Sequence, residues 1–332
     1  MKGKYFICLK DKMVDFKIDI DRQFTIIRGN SSTGKSFFVD MLREYLINKK
    51  NGIMPAAKLT TNFNEIYVVT PTDDFNKIVE IKKNCLILMD EDCNYLFDGN
   101  FGSRVKHSDN YFMIVTRKKL SDIPYSVFSI YDFESEIKSE RGKYFTETRL
   151  KPLYADADGQ YNLDCLLTED SGSGYDLFKN SLNCEVISAG GNTRVYKESK
   201  RLFKEKKNLG ILVDSSAFGP YMVELYEYFI EELKKVRNKN VYIFLPESFE
   251  YLVLRTRYFR NDGLVRSVLE KPYNYCETTK FFSYERMFTN LLTSKCRDKN
   301  IKYNKGKRDS SCSAMLESIS DEILGILGVN KE

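Results

Sequence analysis

Apolar and polar positions along this chain follow two periods, one of about two residues and one of about 3.6, and the changes between them delimit its elements. Phe24–Arg28 (FTIIR) is a short, β-branched apolar run that ends at Gly29, and Ser36–Asn48 then places Phe37, Val39, Leu42 and Leu46 at helical spacing. Glu65–Thr70 (EIYVVT) reads as a strand stopped by Pro71, followed by a short helix over Asp73–Lys83 with Thr72 or Asp73 as its cap. Cys85–Met89 (CLILM) and Tyr111–Val115 (YFMIV) are unbroken apolar runs of strand length, the pattern of strands buried on both faces. Val127–Phe133 and Tyr144–Leu150 read as further strands, and a Pro, Asp and Gly cluster at Pro152–Gly159 marks a boundary.

Beyond that boundary the alternation is more regular. Strands are expected at Leu163–Thr168, Cys184–Ser188, Leu209–Val213 and Val241–Leu245. Each is followed by a helix, at Gly174–Asn183, Arg194–Lys207, Tyr221–Arg237 and Glu247–Arg257. Repeated strand–helix units imply a parallel sheet with helices on its faces. From about Asn261 the pattern turns helical, over Ser283–Thr293 and Ala314–Leu327, around a basic stretch at Lys295–Lys307. The stripe of Met315, Ile319, Ile323, Ile326 and Leu327 reads as a face that closes a core. The expected architecture is α/β: a first domain with a parallel sheet over residues 1–151, a second parallel α/β domain over 160–260, and a mainly helical extension over 261–332.

Composition narrows the chemistry. Apolar residues make up 42% and charged residues 30% of 332 positions, the range of globular proteins. No run of eighteen apolar residues exists to span a bilayer, and the N-terminal segment lacks the features of a secretory signal, so a cytoplasmic protein is expected. Eight cysteines are scattered singly with no CxxC pair, which argues against a zinc site of usual spacing and for reduced thiols in apolar runs. The single histidine, His107, stands in a polar loop, so chemistry here must rest on carboxylates, Lys, Arg, hydroxyls and metal ions. A net charge of +5 permits nucleic-acid contact without arguing for it. Helix Arg194–Lys207 carries seven basic residues that can follow a phosphate backbone, although a charged helix is more often a solvated face.

The sharpest signal is Gly29-Asn30-Ser31-Ser32-Thr33-Gly34-Lys35-Ser36, which matches GxxxxGK[ST] without a mismatch, between a strand and an amphipathic helix. In such a loop, glycines let successive N–H groups face a phosphate, the lysine reaches the β/γ-phosphates and the serine hydroxyl ligates Mg²⁺. The helix that follows adds its N-terminal dipole. The candidate nucleotide contacts therefore run from Gly29 through Phe37. The competing reading is a glycine- and serine-rich surface turn. The partner motif is Cys85-Leu-Ile-Leu-Met-Asp90-Glu91, with Asp90 holding Mg²⁺ through water and Glu91 polarising the attacking water, unless the strand merely ends in acids.

These residues resemble the Walker A and Walker B motifs of P-loop ATPases, and the entry FKIDIDRQFTIIRGNSSTGKS resembles the ABC-type branch, although no LSGGQ-like signature lies between the two motifs. The resemblance implies ATP and Mg²⁺ as cofactors and hydrolysis of ATP. It places Thr116-Arg117 where related ATPases keep a polar sensor of the γ-phosphate. Arg117 can serve so, act on a neighbouring subunit in an oligomer, or be a solvated arginine.

In the second block Glu169 lies just past the first strand and Asp214 just past the third, where ligands of parallel sheets gather. Both acids are candidates to hold a divalent metal for phosphodiester chemistry; the competing reading is ordinary helix-capping acids. The element order resembles a TOPRIM domain, the metal-dependent module of topoisomerases, primases and OLD-family nucleases, with Ser188-Ala-Gly190-Gly191-Asn as its glycine turn. Pro246-Glu247 and Glu250 can supply a further acid. Ser216 replaces the second aspartate of the family's DxD pair, and a hydroxyl is a far weaker magnesium ligand than a carboxylate.

A P-loop ATPase joined to a TOPRIM-like module is similar to the OLD family and to ATPase–nuclease systems of antiphage defence. Three functions follow as expectations. ATP hydrolysis gates cleavage of DNA or RNA at Glu169 and Asp214, or it drives a switch that binds a partner protein through an inactive second domain. In the third, the chain is an NTP-dependent small-molecule enzyme, which the Asp90-Glu91 pair disfavours. No membrane partner is expected.

Overall fold

Strand pairing organises the chain around two sheets, each in its own unit. The computed structural model describes residues 1–29, 34–303 and 310–331. The first unit comprises Met1–Ile123, Phe128–Tyr154 and Tyr273–Phe282; the second comprises Pro124–Val127, Ala155–Pro272 and Ser283–Glu332. No described helix is long and apolar enough to cross a membrane.

The first unit contains β1 (Tyr5–Lys10), β2 (Val14–Ile20), β3 (Phe24–Ile27), α1 (Lys35–Lys50), β4 (Lys58–Thr61), β5 (Ile66–Val68) and α2 (Phe75–Ile81). It continues through β6 (Leu86–Asp90), α3 (Phe101–Val105), β7 (Tyr111–Val115), β8 (Ile130–Glu140) and β9 (Lys143–Pro152). Among the described residues these strands form one sheet in the order β4-β1-β2-β9-β8-β3-β7-β6-β5. The sheet is mixed, which corrects the expectation of a parallel one. Its half from β8 to β5 is parallel, whereas β1 runs antiparallel to β2 and β4, and β8 to β9. The reversal at β8–β9 is made by Arg141 and Gly142, both at positive φ (51° and 77°), the two-residue turn whose twist matches paired strands. β9 then lies parallel to β2, with Val14 opposite Thr146 and Lys17 opposite Arg149.

One face of this sheet is covered by α1, whose Phe38, Val39 and Leu42 are buried. Phe38 meets Phe16 edge-on at 5.1 Å between centroids and Phe133 at 5.7 Å, so the helix is keyed to β2 and β8 by aromatic geometry as well as area. Burying a side chain such as Phe38 is worth about 1.5–3 kcal/mol. Helix α2 is capped by Asp74, which accepts from Lys77 N at 3.2 Å, rather than by Thr72 or Asp73. Asp73 is already engaged by the backbone N–H and hydroxyl of Thr70.

The second unit contains β10 (Cys165–Thr168), α4 (Ser173–Ser181), β11 (Glu185–Ser188), α5 (Asn192–Glu205), β12 (Asn208–Leu212), α6 (Ser215–Lys235), β13 (Asn240–Phe244) and α7 (Phe249–Leu254). Its sheet is parallel in the order β11-β10-β12-β13, as the strand–helix alternation implies. A helix absent from the expectations, α8 (Gly263–Glu270), follows; Asp262 caps it through Leu264 N and Val265 N. The chain passes through α9 (Thr278–Phe281), which belongs to the first unit, and returns in α10 (Tyr284–Asp298) and α11 (Ser310–Leu327). Met315, Ile319, Ile323 and Leu327 of α11 are buried, so that stripe closes a core.

All eight cysteines are free thiols. Burial pushes Cys85, Cys165 and Cys296 up to about 12 and Cys93 up to about 11. Since the thiolate is the nucleophile, these four should stay unalkylated by iodoacetamide at pH 8 while the partly exposed Cys8 and Cys184 react first. Peptide mass spectrometry checks this; Cys165 modified as fast as Cys184 would contradict the burial.

Candidate functional site

Strands β3, β7 and β6 are parallel neighbours in that order, so their carboxyl ends open on one edge of the sheet. Ligands of such sheets collect at this edge. The chain leaves β3 into Gly29, at φ 122°, and Asn30–Thr33 lie outside the described residues. It resumes at Gly34, whose left-handed φ of 87° starts α1, with Lys35 and Ser36 as the first helical residues. No acid stands in the first turn of α1 and Lys49 and Lys50 stand in its last, so the helix dipole is not cancelled where Lys35 and Ser36 lie.

A cleft of about 250 Å³ opens there. Lys35, Ser36 and Arg43 of α1 line one side; Asp90 at the end of β6, Glu91 just after it, and Thr116 and Arg117 just after β7 line the other. The expected residues Lys35, Ser36, Asp90 and Glu91 are thus brought together from distant stretches of sequence. Phe37 is half exposed, near Phe16 at 6.2 Å, and does not line the cleft.

Several polar groups in the cleft have defined partners. Glu91 Oε2 accepts from Arg117 N at 3.2 Å, which ties the end of β6 to the end of β7. Arg117 and Lys118 in turn offer their carbonyls to the Arg28 guanidinium at 2.6 and 3.1 Å. Thr116 is buried, and its hydroxyl accepts from Lys118 N at 3.0 Å. Asp90 accepts from Asp92 N at 3.2 Å and from Arg43 Nη2 at 3.1 Å. Lys35 is buried, and its Nζ lies 3.8 Å from Asp132 Oδ1. Desolvation lowers the Lys35 pKa, Asp132 opposes that shift, Arg117 adds to it and Glu91 opposes it.

Arg43 and Asp132 were not expected. Arg43 lies two helical turns after Lys35 on the same face, a spacing visible in the sequence. Asp132 has no local signal, because it reaches the site through strand pairing.

The donor set fits magnesium held together with a polyphosphate. Ser36 offers a hydroxyl and Asp90 a carboxylate, both hard oxygen donors, and Mg²⁺ is commonly bound through one or two carboxylates plus substrate phosphates. That no group of three His, Cys, Asp or Glu side chains able to hold a metal occurs among the described residues does not conflict with such a site.

In the second unit, Glu169 follows β10 and Asp214 follows β12, side by side at the carboxyl edge of the parallel sheet. Glu169 Oε2 accepts from Asp214 N at 3.0 Å, and Asp214 Oδ1 accepts from Phe249 N at 3.1 Å. The glycine turn after β11 is adjacent, with Gly191 N donating to the Glu169 carbonyl at 2.7 Å. Ser216 donates to Glu247 Oε2 at 2.7 Å, and the fully buried Glu250 accepts from Tyr303 Oη at 2.9 Å. The cleft at Glu169 and Asp214 holds only about 20 Å³, room for one water. Each carboxylate there accepts one main-chain N–H, and no group of three His, Cys, Asp or Glu side chains able to hold a metal occurs around them among the described residues.

The basic side chains of α5 and of Lys206 just after it are partly neutralised. Arg201 pairs with Glu198 and Glu205, Lys206 with Glu185, and Lys200 sits over the Tyr196 and Tyr228 rings. Comparison with protein-family models, with curated proteins and with solved structures finds no match to this chain.

Proposed function

We propose that the chain binds ATP with Mg²⁺ at the Lys35–Asp90 cleft and hydrolyses it, and that the second unit is a TOPRIM-like module through which the nucleotide state acts on nucleic acid or on a protein partner. The observation that supports this most is the convergence of Lys35 and Ser36, at the start of α1, with Asp90 and Glu91, at the end of β6, on one cleft. Lys35 supplies positive charge to the β/γ-phosphates, and the main-chain N–H groups at the start of α1 add to it. Ser36 and Asp90 would hold the magnesium ion, which supplies charge neutralisation at the phosphates. Glu91, oriented by Arg117 N–H, accepts the proton of the attacking water.

The test is titration with a fluorescent ATP analogue in the presence of Mg²⁺. Replacing Lys35 by Ala should weaken binding roughly 100-fold, the loss of a hydrogen-bonded charge worth about 1.5–3 kcal/mol together with its long-range attraction. Affinity retained in that variant would reject the nucleotide site.

For the second unit, Ser216 in place of the second acid of the TOPRIM pair favours a non-catalytic effector over a nuclease. Plasmid should therefore remain intact with Mg²⁺ or Mn²⁺ and ATP. Nicking that is abolished by Glu169→Gln would reverse this assignment and favour ATP-gated cleavage, as in antiphage ATPase–nuclease systems.

A further inference from the structure

The Lys35–Asp132 pair carries an inference that rests on the nucleotide reading and extends it to the control of that site. Asp132 is the third residue of β8, and its placement follows from strand register. Ile26 and Ile27 of β3 pair in parallel with Ile130 and Tyr131, and Arg28 N donates to the Tyr131 carbonyl at 2.7 Å. Continued by one residue, this register sets Asp132 level with Arg28, and the Asp132 carboxylate lies against the residue that follows, Gly29. A Cβ built on Gly29 would run into both oxygens and the carboxyl carbon of Asp132, so the carboxylate occupies the space that any other side chain at position 29 would need. Gly29 is also in the left-handed region, at φ 122°, so two independent constraints demand glycine there.

The carboxylate is held in this place. Its Oδ1 accepts from Phe133 N at 2.8 Å and lies 3.8 Å from Lys35 Nζ. Its side chain retains 23% exposure, against 8% for Lys35. A fixed negative group beside the ammonium that is to receive a phosphate does two things. It supplies the lysine with a counter-charge when no nucleotide is bound, and it repels the polyphosphate that replaces it, since like charges a few ångströms apart interact strongly where water is partly excluded.

We infer that Asp132 is a built-in competitor for the polyphosphate: its carboxylate holds Lys35 in the nucleotide-free chain and yields it to a phosphate oxygen when a nucleoside triphosphate binds. The pair limits affinity and hastens release of the bound nucleotide. Asp132 is thus a positioning residue that acts through Lys35, and it takes no part in bond breaking.

The experiment measures binding and dissociation of a fluorescent ATP analogue with Mg²⁺ by the full chain and by Asp132→Asn, Asp132→Ser and Asp132→Glu. Asp132→Asn keeps the shape and removes the charge; it should bind about tenfold more tightly, through slower dissociation, the scale of one charge-assisted contact released. Asp132→Glu keeps the charge and should bind no more tightly than the unaltered chain. Thermal melting and circular dichroism identify folded variants, and Asp132→Ser carries the same expectation if the asparagine variant does not fold. Unchanged or weaker binding by a folded, charge-removed variant would overturn the competitor role while leaving the nucleotide site intact. Absence of binding by the unaltered chain, or binding equal to that of Lys35→Ala, would instead remove the nucleotide site, and the competitor with it.

Discussion

On the proposed reading, replacing Glu91 by Gln should leave ATP binding intact and lower hydrolysis by about 10²–10⁴-fold, the range for removal of a positioned general base. The physical case is geometric. Glu91 follows the last residue of β6, lines the same cleft as Lys35 and Ser36, and has its carboxylate fixed by Arg117 N at 3.2 Å. Glutamine is isosteric and can still accept that N–H through its carbonyl, so orientation is kept while the basic oxygen is lost. Phosphate release at saturating ATP, measured beside the dissociation constant, separates the two effects. Turnover within about twofold of the unaltered chain would mean that another group takes the proton.

The second large effect is on stability. Phe112 sits in β7, between β3 and β6, and is fully buried. Its ring stacks on Phe24 at 5.7 Å and 20° and meets Phe101 edge-on at 6.1 Å and 80°. Phe101 in turn stacks on Phe75 at 5.5 Å, so the ring joins the sheet to α3 and α2. Truncation to Ala removes the buried area and leaves a void, and such changes cost about 3–5 kcal/mol. Urea denaturation of Phe112→Ala should show that loss in the first unit as a lowered midpoint with little change in slope. A loss below about 1 kcal/mol would mean that the surrounding rings collapse into the space, which the range for Phe→Ala makes unexpected.

Several of these groups were readable in advance because their signals are local. The loop pattern occupies consecutive positions from Gly29 to Ser36, and the apolar run before Asp90 marks a buried strand wherever it is paired. The alternation of β10 to α7 likewise implied a parallel sheet, because each strand needs a crossover to reach its neighbour. Strand β2 carries a local signal too, since Phe16, Ile18 and Ile20 alternate with Lys17 and Asp19. The partners of β2 were not visible. Val14–Lys17 pairs with Thr146–Arg149, and nothing in either stretch names the other.

The same distinction holds within the two candidate sites. Ser216 reads as a gap in an acidic pair, but only the structure shows its hydroxyl on Glu247. Asp90 reads as a metal ligand, but only the structure shows Arg43 on it.

Residue chemistry and short-range spacing by themselves determined which groups stand at the candidate site: a lysine and a hydroxyl at the start of a helix and two acids at the end of an apolar segment. Tertiary structure alone decided what faces them, a mixed sheet in place of a parallel one, Asp132 against Gly29 and Lys35, and main-chain N–H groups on Glu169 and Asp214. The reason is that a side chain's partners across a sheet depend on strand order and register, which arise from pairings between residues far apart in the chain, whereas the composition of a loop is complete within its own few residues.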